Sequence, residues 1–215
     1  MKCDYDSVEE ALADSNLIPT RCAYITGRSA VGKTTFAKKL AELGHFVIDN
    51  DLICKNIINP HFNLNQKDSI AIFHGKAPVE VEDMFVAELH KVMDSVPEAQ
   101  KIVSEGVLSS PRVFNRFFSG KYAEVTVFYL MPTNRDKYKA QVMERFSFEV
   151  ANNLQFLPIW TDMDPKIVEA YKQSGYDSPL VMEYIEKLVT ALFEGSQERY
   201  ELLASQGVKM VTIAV

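Results

Sequence analysis

Gly27-Arg28-Ser29-Ala30-Val31-Gly32-Lys33-Thr34 decides the fold. The octet stands between a short, mostly apolar run, Cys22 to Thr26, and a stretch from Thr34 to Leu43 whose apolar residues recur on one side. Cys-Ala-Tyr-Ile-Thr reads as a buried strand stopped by Gly27. Phe36, Ala37, Leu40, Ala41 and Leu43 give the following segment a helical stripe, and Gly44 stands where a C-terminal cap glycine belongs. Strand, glycine loop and helix in this order fit G-x-x-x-x-G-K-[ST] at every fixed position. The glycines allow a tight turn with main-chain N–H groups pointing inward. The helix start adds its positive dipole end. The loop therefore cradles an anion through Gly27, Arg28, Ser29, Ala30, Val31, Gly32, Lys33, Thr34 and Thr35. Lys33 would reach the β- and γ-phosphates of ATP, and the Thr34 hydroxyl would coordinate Mg²⁺.

Working outward, Phe46 to Ile48 reads as a second strand ending at Asp49. Period-two geometry predicts Asp49 and Asp51 on one side. A carboxylate there could hold an attacking hydroxyl in line and take its proton, a role given to Asp51. Asp49 would bind a Mg²⁺ water or hydrogen-bond Thr34. Alternatively one acid caps a helix beginning at Leu52, and Asp51 is well placed for that. Leu52 to Pro97 is mostly helical, most clearly over Glu80 to Met93, with Val81, Met84, Phe85, Leu89 and Val92 inward. Lys101 to Val103 is a third strand ending near Ser104-Glu105-Gly106. Pro111 opens a helix through Phe118, and Glu124 to Met131 is a fourth strand. Helices are expected over Arg135 to Phe146, Val181 to Phe193 and Gln197 to Ser205, then a last strand over Val208 to Ile213. A short helix is expected near Val8, Ala11 and Leu12.

Alternating strands and helices call for a parallel sheet covered on both faces, and the octet's resemblance to a P-loop implies the three-layer α/β/α sandwich of P-loop NTPases. The polar residues that end the first three strands then share one edge. With 215 residues, 47% of them apolar, the chain can bury a full core as one domain, and wholesale disorder is excluded. Within it, residues 20–52 carry the loop and the acids and 53–97 a helical insert. The net charge of −6 excludes a broadly basic nucleic-acid coat but leaves room for a local basic groove. Cys3, Cys22 and Cys54 are widely spaced and odd in number, which predicts free thiols in a reducing compartment such as the cytoplasm. No apolar run approaches bilayer length, and the acidic N-terminal residues do not read as a signal peptide.

At the loop, Phe36-Ala37-Lys38-Lys39-Leu40, Leu43-Gly44 and Val47-Ile48-Asp49-Asn50-Asp51-Leu52-Ile53, the chain resembles the P-loop nucleoside and nucleotide kinases. Its nearest local likeness is to dephospho-CoA kinase, with Asn50 in place of the small residue expected between the acids. It is also similar to polynucleotide kinases and small-metabolite kinases. The resemblance implies transfer of the ATP γ-phosphate to a hydroxyl, an acceptor-binding role for the helical insert 53–97, and a lid over 135–180 whose arginines neutralise the transferred group. Among Arg135, Lys139 and Arg145, the first choice for that role is Arg145. Beyond Glu105 the dephospho-CoA kinase lid sequence is absent, as is an Asp-Arg-Ser-like motif of deoxynucleoside kinases.

The remaining candidates carry two readings each. Glu105 holds substrate or a metal-bound water, or is a helix-entry acid. Arg112 and Arg116, four apart on one helix face, grip an acceptor phosphate or form a solvated face. Phe148, Phe156, Trp160, Tyr171 and Tyr176 stack on an acceptor base or pack in the core. Asp162 and Asp164 read as helix-start residues, and the four histidines lack metal-ligand spacing. The acceptor is a nucleotide, a nucleotide-like metabolite, or a nucleic acid lined up along Lys55, His61, Lys67, His74, Lys76 and Lys91 of the insert. A regulatory NTPase is a second class, which no Asn-Lys-x-Asp tetrad or acid-rich Walker B run supports, and a nucleotide-binding protein without catalysis a third, against which Lys33 and Asp51 count.

Overall fold

The computed structural model describes residues 2–107, 110–152 and 164–215. Its five strands form one parallel sheet in the order β2-β3-β1-β4-β5. They are β1 (Cys22–Gly27), β2 (Phe46–Asp49), β3 (Ile102–Glu105), β4 (Val125–Met131) and β5 (Met210–Ala214). β1 and β3 are buried along their whole length, and β4 is buried beyond Val125, as strands covered on both faces must be. Tyr5 adds a parallel bridge to Ile213, so the N-terminal segment extends the sheet past β5. Asp4 fixes it there by accepting from the Thr212 N–H and hydroxyl.

Helices cover both faces. On one side α1 (Val8–Ala13), α2 (Lys33–Glu42), α8 (Arg135–Ala151), α9 (Pro165–Ser174) and the first half of α10 (Pro179–Ser205) pack around Ile25, Phe36, Leu40, Phe128 and Val142. On the other, the insert packs around Tyr24, Phe73, Phe85 and Phe117. The insert runs through α3 (Asn50–Ile53), a π-helical stretch (Cys54–Ile58), α4 (Asn59–Phe62), α5 (Gln66–Phe73) and α6 (Val79–Asp94), and α7 (Pro111–Phe117) follows β3. The stripe expected on α6 is present: Val81, Phe85 and Leu89 are buried, with Met84 and Val92 packed against them.

Two local expectations are corrected. The segments Val181 to Phe193 and Gln197 to Ser205 form one helix, α10, unbroken at Gly195-Ser196. Ser196 stays helical by donating its hydroxyl to the Leu192 carbonyl, while its own carbonyl accepts from Tyr129. The helix after β2 starts at Asn50, not Leu52, so the strand period that would align Asp49 with Asp51 has already ended. Asp49, rather than Asp51, is its cap: Oδ1 accepts from the N–H groups of Asp51 at 2.9 Å and Leu52 at 3.3 Å.

All three cysteines are free and buried. Among the described residues no helix is long and apolar enough to cross a membrane.

Candidate active site

The octet forms a compact turn between β1 and α2. Gly27 adopts φ +147°, and a Cβ on it would lie 2.8 Å from the Leu130 carbonyl, so only glycine lets the loop leave β1 this close to β4. Ala30 takes a left-handed φ of 62° and Gly32 one of 85° at the helix start. Alternation of this kind turns successive N–H groups toward one point, an anion-binding concavity. A left-handed alanine costs on the order of 1–3 kcal/mol, held by its surroundings. Here Tyr138 donates its hydroxyl to the Ser29 carbonyl at 2.7 Å, and Val31 is buried beneath the turn.

Lys33 folds over this loop, donating to the carbonyls of Arg28 at 2.9 Å and Gly27 at 3.4 Å. Burial pushes its ammonium down to about 8, and Arg199 and Arg145 add to this, while Glu105 and Asp51 oppose it. The expected Thr34–Asp49 hydrogen bond is not made. Thr34 instead donates to Glu105 Oε2 at 3.2 Å. Parallel register explains it: Glu105 lies beside Ile25 of β1, at the edge from which α2 departs. Asp49 is opposite Glu105 on the other side, so the acids share one sheet edge as the sequence implied. The Glu105 carboxyl is pushed up by burial and by Asp49 and Asp51, against the Thr34 hydrogen bond and Lys33.

Asp51 retains solvent access in the first turn of α3, yet protein crowds around it. Desolvation and then Asp49 raise its carboxyl, with Lys33 and Arg145 pulling it back. Asn50, fully buried between the acids, accepts from the Ser104 hydroxyl at 2.9 Å and so ties α3 to β3. That role explains why a larger polar residue fits where a small one was expected. Arg145 bonds Glu149 on its own helix, and its charge is felt at both Lys33 and Asp51.

The pair expected to grip an acceptor phosphate is engaged elsewhere. Arg112 donates to Glu82 Oε1 at 2.7 Å and Arg116 to Glu82 Oε2 at 2.6 Å, with Asp83 as a further partner of Arg116. Glu82 is buried, so the two guanidiniums neutralise it and pin α7 to α6. Of the insert cations, Lys91 pairs with Glu88, and exposed His61 lies against Phe62. The Lys67 side chain lies outside the described residues, as do Phe156, Trp160 and Asp162. Tyr171 and Tyr176 pack on Phe146 and on each other, and exposed Phe148 stands apart from them. Asp164 caps α9.

Arg199 was not among the expected site residues. It lies on α10, on the inward stripe that includes Leu192, Ser196 and Leu203, one turn from Gly195. The signal was a glycine and an arginine at i and i+4 inside an otherwise apolar face.

No family model matches the chain, and no curated protein does. Solved structures do. A gluconokinase from Sinorhizobium meliloti is 12% identical, with a TM-score of 0.42 over 90% of this chain and 81% of its own. A sugar kinase from Janibacter sp. is 20% identical, with a TM-score of 0.39 over 59% of this chain and 68% of that one. The shikimate kinase of Acinetobacter baumannii is 16% identical, with a TM-score of 0.38 over 87% and 95%.

Proposed function

We propose that the protein is an ATP-dependent phosphotransferase that moves the γ-phosphate to a hydroxyl. The observation that carries this is the anion cradle at the start of α2, with Lys33 over it and the Asp51 carboxylate within electrostatic reach of Lys33. In this reading the amides of Gly27 to Thr35 hold the polyphosphate. Lys33 leaves the Arg28 and Gly27 carbonyls for the β- and γ-oxygens and regains full charge there. Asp51, with its carboxyl raised, accepts the proton of the acceptor hydroxyl as the phosphoryl arrives. Arg145 offsets charge on the transferred group from α8.

Oxygen donors suit Mg²⁺, and the hydrogen-bonded Thr34 hydroxyl and Glu105 carboxylate are such donors. Among the described residues no group of three or more His, Cys, Asp or Glu is arranged to hold a metal alone. The ion would therefore come with the nucleotide phosphates, on Thr34, with Asp49 and Glu105 toward its waters. Bound there, it neutralises the β- and γ-oxygens.

The acceptor in this proposal is a nucleotide or nucleotide-like metabolite, with a nucleic-acid hydroxyl as the alternative. A γ-labelled phosphate transfer screen tests it by offering dephospho-CoA, nucleoside monophosphates, 5′-hydroxyl oligonucleotides and DNA with hydroxymethylated bases. Label in an acceptor that is lost in Lys33→Ala supports the reading. Phosphate release without transfer to any acceptor would favour a regulatory NTPase.

A further inference from the structure

Among the described residues, two cations beside the phosphate loop have no counter-ion. The Arg28 guanidinium lies against α10 in the space Gly195 leaves open: a Cβ there would stand 2.9 Å from Arg28 Cζ and nearer still to Nη2. Arg28 Nε is buried with no hydrogen-bond partner. Arg199 follows Gly195 by one turn on the same inward stripe. Among the described residues neither arginine makes an ion pair, although every other arginine from 112 to 145 does.

Among the described residues, the groups felt most strongly at Arg199 are Arg28, Tyr129, Tyr138 and Tyr24, none of them a carboxylate. Tyr129 and Tyr138 border the pair, and their hydroxyls are spent on the Ser196 and Ser29 carbonyls. His74, at the end of α5 in the insert, is pushed down by burial, then by Arg199, Lys76 and Arg28. Burial first and Arg28 second bring Arg199 down to about 10. Glu105 and Asp51 face Lys33 instead. Desolvated like charges without a partner are strongly unfavourable, and an anionic ligand removes that cost.

We propose that Arg28 and Arg199, with His74 beside them, bind a phosphate group that belongs to the acceptor. The acceptor is then a phosphorylated molecule with a free hydroxyl rather than a neutral alcohol. This rests on the loop being the nucleotide site. The cluster lies toward the insert, whereas the cavity on the other flank of the loop, about 300 Å³ between α1, α2 and α8, is lined by Thr35, Lys39, Asn134 and Val215. A nucleoside on that flank would leave the arginine flank to the acceptor.

Calorimetry with inorganic phosphate tests this on protein saturated with Mg²⁺ and a non-hydrolysable ATP analogue that keeps its γ position filled. Phosphate is expected to bind this complex, and Arg199→Gln to weaken that binding at least tenfold while analogue affinity stays within twofold. Absence of phosphate binding to the wild-type complex, or unchanged affinity in Arg199→Gln, overturns the proposal. Removing a cation from a like-charged pair is also expected to leave the free protein melting no lower than wild type. A lower melting point with unchanged phosphate affinity would make Arg199 a structural prop and overturn it. The analogue titration, with Lys33→Ala as its control, reports on the nucleotide reading separately. If the analogue fails to bind, that reading falls, while a phosphate affinity that drops in Arg199→Gln still identifies the cluster.

Discussion

Lys33 and Asp51 are displaced from their ordinary ionisation in opposite directions, and each displacement has a measurable consequence. Lys33 gives up its proton near pH 8 in the fold, against ~10.4 in an unfolded chain. Below about 8 both states hold the proton. Between the two values the unfolded chain binds one proton more, so stability rises with pH across that window. A polyphosphate restores the charge, so analogue binding at about pH 9 should take up protons. Calorimetry in two buffers of different ionisation enthalpy measures this, and Lys33→Ala should remove the uptake. For Asp51, desolvation and Asp49 raise the carboxyl, which places the acid limb of the kcat–pH profile above the usual carboxylate range. Asp51→Asn should lower kcat by roughly 10²–10⁴-fold, the span of general-base catalysis, and leave analogue affinity within twofold. Full turnover in Asp51→Asn would remove Asp51 from the chemistry.

At the scale of elements, α10 and the α6–α7 pair answer different questions. Gly195→Ala puts a methyl where the Arg28 guanidinium rests, and the side chain, being flexible, swings away. In mid-helix the change gains about 1 kcal/mol of propensity. The variant should therefore melt roughly 2–4 °C higher, yet lose phosphate affinity on the analogue complex. A gain in both would mean that the guanidinium does not need that seat. Arg116→Met removes one partner of buried Glu82 and leaves Arg112 to hold it. Hydrogen bonds to charged groups contribute about 1.5–3 kcal/mol, so urea unfolding should register a loss of that order. Unchanged stability would return Arg116 to its expected place as a ligand group. The sequence told these elements apart only in part. The helices were legible from apolar stripes, and the loop from its spacing. The partner of Arg112 and Arg116 was not, because Glu82 lies about thirty residues away on another helix and one chain's pattern carries no pairing. The helix start at Asn50 was missed for a local reason: an Asp after a strand reads equally as strand end and as cap.

The whole molecule places the loop at the junction of everything the sequence could describe only separately. Parallel register brings Gly27, Asp49 and Glu105 to one edge, which the alternation of strands and helices already implied. What it could not imply is that α10 runs on through Gly195-Ser196 and lies beside the loop. A glycine-serine pair is a weak breaker once its hydroxyl and carbonyl are satisfied. As a result the loop is clasped from several elements: Tyr138 of α8 on the Ser29 carbonyl, Glu105 of β3 on Thr34, and Gly195 of α10 against Arg28. A polyphosphate seated there relieves Lys33 and binds only the folded chain. At a hundredfold excess over Kd such binding adds about 2.7 kcal/mol to stability. For a chain of this size that corresponds to a melting shift of roughly 5–10 °C with the Mg²⁺ analogue. The shift should rise by a constant step for each tenfold increase in analogue once the site is saturated. It should vanish in Lys33→Ala, whose free form should melt no lower than wild type because a desolvated ammonium has been removed. A shift that persists in Lys33→Ala would place the nucleotide somewhere other than this loop.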